Sequence, residues 1–241
     1  MSSTQPPPAP TSAPSSPAVP PAPTDLLPDP RYDALLVIDL QPDFMPGGAL
    51  AVAGGDEVVA PIAELLPRFQ TVVVTQDWHP AGHVSFASQH GVTPFSSRPL
   101  YGGEQVMWPD HCVQGSPGAA LHPGLPLDRA TLLLRKGSYP DTDSYSAFRE
   151  NLGPDGQRRT TGLGAWLKAR GIRRVFLCGL ARDFCVTWSA LDAVAEGLQV
   201  VVLDDLTRAV FPERAAETDA AFAAAGIVHV DSRAVRAGSP R

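Results

Sequence analysis

The sequence predicts an open, doubly wound α/β domain: a three-layer α/β/α sandwich around a mainly parallel six-stranded sheet. Three observations carry that prediction. Short apolar runs recur along the chain, they are continuous rather than alternating, and segments with helical periodicity separate them. A continuous apolar run marks a strand buried on both faces, as in a parallel sheet with helices on either side. Alternating strands and helices then give the doubly wound arrangement.

In chain order, residues 1–30 are mostly Pro, Ala, Ser and Thr without apolar periodicity. Such a segment buries too little surface to offset its ordering entropy, so it is read as a tail, with Pro6–Pro10 as a possible proline-motif ligand. The domain is expected over residues 31–232 and a flexible end over 233–241. Predicted strands are Ala34–Ile38, Thr71–Thr75, Thr131–Leu134, Arg174–Cys178, Val200–Leu203 and Ile227–Val230. Predicted helices are Gly55–Leu66, Gly162–Arg170, Asp183–Glu196 and Glu213–Ala225, with Asp183 a capping residue for the third. Gly171, Gly197 and Gly226 follow three of them as C-terminal stops. The stretch Asp77–Ala130 has little periodicity, and a long loop at the carboxyl ends of strands is where function is expected.

Composition excludes several function classes. With 241 residues, 44% of them hydrophobic, the chain can bury one large core. A formal net charge of −6 gives no electrostatic reason to expect nucleic acid or an anionic membrane as partner. Three cysteines do not make a disulfide framework and suit a reducing compartment. No apolar run approaches the roughly 20 residues needed to cross a bilayer. The N-terminus has no signal-peptide pattern, so a cytoplasmic location is expected.

Active sites of open α/β sheets lie outside the carboxyl ends of the strands. Strand after strand places a reactive residue there: Asp39 after the first, Asp77 after the second, Lys136 after the third, and Cys185 beyond the fourth. An acid, a cation and a thiol converging on one crevice suit acyl transfer through a covalent intermediate. Asp39 would take the thiol proton and pass it to a leaving amine, while Lys136 would orient both and stabilise their charge. Lys136 and the helix N-terminus are both expected to lower the thiol pKa. The backbone amides of Ala181 and Cys185 are candidate oxyanion donors. No histidine neighbours the thiol in sequence. A second constellation, Asp77 and His79 two residues apart with His111 further on, makes a one-carboxylate, two-imidazole set suited to Zn, Fe or Mn. Cys112 could serve in place of His111, and His83, Ser85, His90 or water are candidates for a fourth position. His122 and His229 are read as structural.

Five motifs together resemble the nicotinamidases of the isochorismatase-like cysteine hydrolases: VIDLQPDF (Val37–Phe44), TQDWHPAGHVSF (Thr75–Phe86), WPDHCVQGSPGA (Trp108–Ala119), RKGSYPDTDSYSAF (Arg135–Phe148) and GLARDFCV (Gly179–Val186). The resemblance spans essentially all of residues 32–231. It implies the isochorismatase-like fold, with Asp39, Lys136 and Cys185 as catalytic triad and Asp77, His79 and His111 as ligands of one divalent metal, zinc first and iron or manganese next. It further implies that the metal holds the pyridine nitrogen of nicotinamide between aromatic walls at Phe44, Trp108 and Tyr145, and that the Leu180–Ala181 peptide is cis. Arg182 stands where many relatives carry a small polar residue, and its side chain is expected to point to solvent. The expected activity is that of an amidohydrolase acting on linear amides, releasing nicotinate and ammonia in NAD salvage, with a homo-oligomer possible. The alternatives are another small-amide or carbamoyl hydrolase of the superfamily, an isochorismate hydrolase, or a catalytically silent metal-binding relative.

Overall fold

The computed structural model describes residues 26–236; the Pro6–Pro10 motif and most of the expected tail lie outside the described residues. The chain runs β1 (Asp33–Ile38), α1 (Val59–Leu65), β2 (Thr71–Asp77), β3 (Ser97–Leu100), β4 (Gly103–Val106), β5 (Leu132–Lys136), β6 (Arg149–Leu152), β7 (Arg158–Thr160), α2 (Leu163–Ala169), β8 (Arg174–Leu180), α3 (Thr187–Ala195), β9 (Gln199–Arg208), α4 (Ala215–Ala224), β10 (Val228–Val230) and α5 (Arg233–Arg236). Six strands form one sheet in the order β10-β9-β8-β1-β2-β5, and every pairing in it is parallel. Every residue of β1, β2 and β8 is buried, as continuous apolar runs covered on both faces require.

Strand β1 is the centre of the topology. The chain proceeds from it through β2 to β5 on one side, then returns to its other flank with β8 and continues to β10. The strand order therefore reverses between β1 and β8, which is where the crevice of a doubly wound sheet opens. Gly179 lies at that seam. Its φ is +108°, and a Cβ built on it would stand 2.1 Å from the carbonyl oxygen of Ile38. Only glycine lets β8 run this close to β1.

Several elements differ from expectation for identifiable reasons. Strand β5 is the sheet edge rather than a strand buried on both faces: alternate residues face outward, and Leu133 is 52% exposed. The first predicted helix opens as a tight 3-10 turn, Gly55–Val58, before becoming α-helical. The third begins later than expected, because Arg182–Val186 form a wide π-type turn ahead of α3. The aperiodic stretch holds a small hairpin, β3 with β4, and a second antiparallel pair, β6 with β7, follows β5. The residues after α2, α3 and α4 at Gly171, Gly197 and Gly226 have positive φ, as helix stops do.

The Gly179 contact gives a direct test. Gly179→Ala should destabilise the fold by more than about 4 kcal/mol, since neither strand backbone can retreat without breaking the sheet. A denaturant midpoint equal to that of the unsubstituted protein would contradict the close β1–β8 approach.

Candidate active site

The expected residues do meet at the reversal point. Asp39 leaves β1 in the left-handed region, φ +47°, and its amide donates to Thr75 Oγ at 3.0 Å. The Thr75 hydroxyl returns a 2.6 Å bond to Asp39 Oδ1. Gln41 holds the next strand end: it donates to the Asp77 carbonyl at 2.8 Å and accepts the Asp77 amide at 2.7 Å. Lys136, wholly buried at the end of β5, reaches between them. Its Nζ is 3.0 Å from Asp39 Oδ2, 3.0 Å from Asp77 Oδ1, 3.1 Å from the Ser144 carbonyl and 3.5 Å from Cys185 Sγ. One ammonium thus touches the acid, the thiol and the carboxylate of the second constellation.

Burial and charge set the protonation of this cluster. Burial works against the Lys136 ammonium, but the carboxylates of Asp39 and Asp77 outweigh it and hold its pKa well above the usual lysine range. Burial raises Asp39 above the ordinary carboxylate range despite Lys136 beside it. Asp77 is pulled the other way: His79 and Lys136 overcome its burial and hold it well below that range. Cys185 corrects the expectation from sequence. Burial drives its thiol well upward, Lys136 only partly offsets this, and Asp39 stands in hydrogen-bonding reach. A raised carboxylate pKa narrows the gap that proton transfer from that thiol must cross.

Asp77, His79 and His111 bring three ligand atoms within 4.8 Å of one another, all on buried side chains. The Nε2 atoms of His79 and His111 lie 2.9 Å and 3.4 Å from Asp77 Oδ2. Their Nδ1 atoms face carbonyl oxygens, of Gly137 at 2.9 Å and Pro109 at 2.8 Å. A carbonyl only accepts, so each Nδ1 is placed to donate its proton there, and each Nε2, beside the Asp77 carboxylate, is the atom a cation would meet. Two imidazole Nε2 atoms gathered on one buried carboxylate, with a second buried acid and one ammonium nearby, fit a divalent cation. Gly137 adds a steric condition, since a Cβ there would stand 2.5 Å from the His79 ring.

His83 and Ser85 are bonded to each other, Nδ1 to Oγ at 2.8 Å, and the His83 ring stacks behind His79 with centroids 4.1 Å apart. His83 Nε2 faces the Thr142 carbonyl, and His90 Nε2 faces that of Val84. Cys112 accompanies His111 with φ +47° and its amide bonded to Asp43 Oδ2 at 2.7 Å. That bond ties the Pro42–Phe44 turn to the His111 loop and sets the Phe44 ring 5.6 Å from His111. Burial pushes the Cys112 thiol well above its usual range. His229 pairs with Asp204, and His122 accepts the amide of Gly124.

Above this floor is a narrow, largely apolar pocket. Phe44, Trp108 and Tyr145 line it as expected, with Ala181 and Cys185, but so do Leu50, Asp143, Ser144, Phe184 and Val210. Phe184 is the main omission of the sequence reading: its ring meets Trp108 edge-on at 4.8 Å and lies 5.3 Å from Tyr145. Its position next to the thiol was the available signal. The Tyr145 hydroxyl accepts from Trp108 Nε1 and from Gln105 Nε2, both at 3.1 Å. The Leu180–Ala181 peptide is cis.

Arg182 departs from expectation. Its guanidinium is mostly buried, pairing with Asp204 and with Asp219 at 2.8 Å over the face of Phe222. Asp183 does not cap α3; its carboxylate turns instead to the amides of Val210 and Phe211.

The isochorismatase domain family matches residues 33–233. The chain belongs to that family. Within it, the nicotinamidase of Acinetobacter baylyi is 49% identical over 178 residues, covering 73% of this chain and 81% of that protein. A crystal structure of PnC1 from L. infantum in complex with nicotinate superposes with a TM-score of 0.76 at 41% identity, over 87% of this chain and 98% of the other. Pyrazinamidase of Pyrococcus horikoshii in complex with zinc gives a TM-score of 0.67 at 34% identity, over 83% and 99%. Among the described residues no helix is long and apolar enough to cross a membrane, and all three cysteines are free.

His83 yields a stability test. Burial, then the charge of neighbouring His79, lowers its pKa to about 4 from an ordinary 6.5. The unfolded chain therefore binds the extra proton first, so stability should decline as pH falls from about 6.5 to about 4. The loss is about 3 kcal/mol in scale and levels off below that window. His83→Gln should flatten that part of a stability–pH profile measured by thermal unfolding; an unchanged slope would show that His83 does not carry it.

Proposed function

We propose that this chain is a cysteine amidase that hydrolyses nicotinamide to nicotinate and ammonia through a thioester on Cys185, a step of NAD salvage. The observation that carries this reading is the Lys136 ammonium, in contact at once with Asp39, Asp77 and the Cys185 thiol. The nicotinamidase relatives and the nicotinate-bound neighbour support the choice of substrate.

The reaction follows from what each side chain can do. Phe44, Trp108 and Tyr145, with Phe184, would receive a flat aromatic ring and hold its carboxamide over Cys185. A divalent ion held by Asp77, His79 and His111 would supply a fixed Lewis-acidic point for the ring nitrogen; zinc is favoured, given the zinc-bound neighbour. Asp39 takes the thiol proton as sulfur attacks the carbonyl carbon. The amides of Ala181 and Cys185 would receive the oxyanion. Asp39 then returns the proton to the departing nitrogen, the C–N bond breaks, and ammonia leaves an acyl–sulfur bond. A water molecule, deprotonated by Asp39, attacks that thioester and frees nicotinate, and the proton returns to sulfur. Throughout, Lys136 keeps the buried carboxylate and developing thiolate in register.

Ammonia release from nicotinamide should fall by about a thousandfold or more in Cys185→Ala. Release at the unsubstituted rate would overturn the thioester route. In the unsubstituted enzyme, kcat/KM should drop on the acid side through a pKa above the ordinary aspartate value of about 3.9, because burial raises Asp39 and only its carboxylate can accept the thiol proton. An acid limb at or below that value would remove Asp39 from the role. Chelation should abolish turnover and weaken nicotinamide binding in calorimetry while iodoacetamide still alkylates Cys185; full binding after chelation would exclude the metal from substrate recognition.

A further inference from the structure

We infer that Asp183, two residues before the nucleophile, is a positioning residue that fastens the far wall of the substrate pocket to the nucleophile turn, and that it thereby sets substrate affinity rather than thiol reactivity. The inference deepens the amidase reading and rests on it. The Asp183 carboxylate is mostly buried and spends both oxygens on one short segment: Oδ1 accepts the Val210 amide at 2.9 Å and Oδ2 accepts the Phe211 amide at 2.8 Å. That segment links β9 to α4, and its Phe211 ring also meets Phe184 of the nucleophile turn. Charge-assisted bonds from a carboxylate to two successive amides fix a backbone more firmly than neutral ones.

One of the two residues they fix faces the pocket. Val210 is part of its lining. The Phe211 ring, 6.0 Å from Phe184, continues to Phe95 at 6.1 Å, and Phe95 meets Trp108 at 6.0 Å. With Trp108 against Phe184 at 4.8 Å, four rings close a circuit, of which Trp108 and Phe184 line the pocket. Phe95 is 39% exposed, and both it and Phe211 lie outside regular strands and α-helices. Arg182 secures the same turn from its other side through Asp204 and Asp219. Asp183 touches neither the thiol nor the pocket interior, so its loss should loosen the wall and leave the acid–ammonium–thiol contacts in place.

The test measures steady-state nicotinamide hydrolysis and iodoacetamide alkylation of Cys185 in the full-length protein, Asp183→Ala and Asp183→Asn. Asp183→Ala should raise KM about tenfold with kcat changed less than about threefold, and alkylation should be unaltered. Asp183→Asn keeps one acceptor and should fall between; it also carries the comparison if the alanine variant does not fold. Amide exchange, read without substrate, should accelerate at Val210 and Phe211 in either folded variant while α4 stays protected. An unchanged KM, a loss confined to kcat with slowed alkylation, or unaltered exchange at those two amides would overturn the inference. Turnover by the unsubstituted enzyme in the same assay tests the amidase reading on its own, and the exchange arm stands whatever that result.

Discussion

Everything at this site depends on a single buried ammonium. Lys136 is wholly enclosed, yet carries a charge that water would otherwise solvate, and two carboxylates at 3.0 Å supply the compensation. Removing either partner would leave an uncompensated buried charge, typically a loss of about 3–5 kcal/mol. The dependence is mutual. Asp39 and Asp77 bring two carboxylates into a buried place, and one ammonium cannot neutralise both. The remaining imbalance falls on the Asp77 side, where the Nε2 atoms of two imidazoles already converge. The preference for a cation there is thus built into the same charge count that holds the nucleophile's partners together.

The sheet topology explains why such a cluster is tolerable. Asp39, Asp77 and Lys136 sit at the carboxyl ends of three adjacent parallel strands, β1, β2 and β5, and Cys185 follows the fourth, β8. Strand backbones are held by their ladders, so the side chains at their ends need few further supports. Those supports are present: Thr75 for Asp39, Gln41 for the Asp77 backbone, and the Gly137 carbonyl for His79. Each comes from a neighbouring strand end or its exit. A rigid floor of this kind can hold mutually strained charges that a loop would release by moving.

How much of this was legible in the sequence follows the same division. Apolar runs fixed the six strands because burial on both faces leaves a continuous pattern, and reactive residues just beyond those runs marked the floor. The edge position of β5 was hidden, since Leu132–Leu134 read as interior until the pairing order is known. The two short antiparallel pairs were missed because strands of three or four residues carry too little periodicity to register. The pocket walls were only partly legible. Phe44, Trp108 and Tyr145 lie in motifs, whereas Leu50 and Val210 are aliphatic residues that any core would use. Arg182 and Asp183 were misread for one reason: a charged residue at a helix start was assigned local partners, solvent for one and the helix amides for the other. Their actual partners, Asp204, Asp219 and the amides of Val210 and Phe211, lie more than 20 residues away and are brought near only by the crossover to β9.

That misreading shows what the turn is for. If Asp183 capped α3, the turn would serve the helix and the thiol alone. Because it faces outward to the β9–α4 link, one five-residue turn presents the nucleophile on its inner side and grips the opposite wall on its outer side. The π-type geometry suits this double use, since the wider turn directs Asp183 away from the axis of α3 while Phe184 and Cys185 stay in the pocket. On the inference drawn above, the separation of the Cys185 sulfur from the Val210 wall depends on Asp183, two residues away in sequence, as well as on the packing of the β9–α4 link. A loosened Asp183 contact would then change the width of the pocket without moving the strand ends that carry Asp39, Asp77 and Lys136.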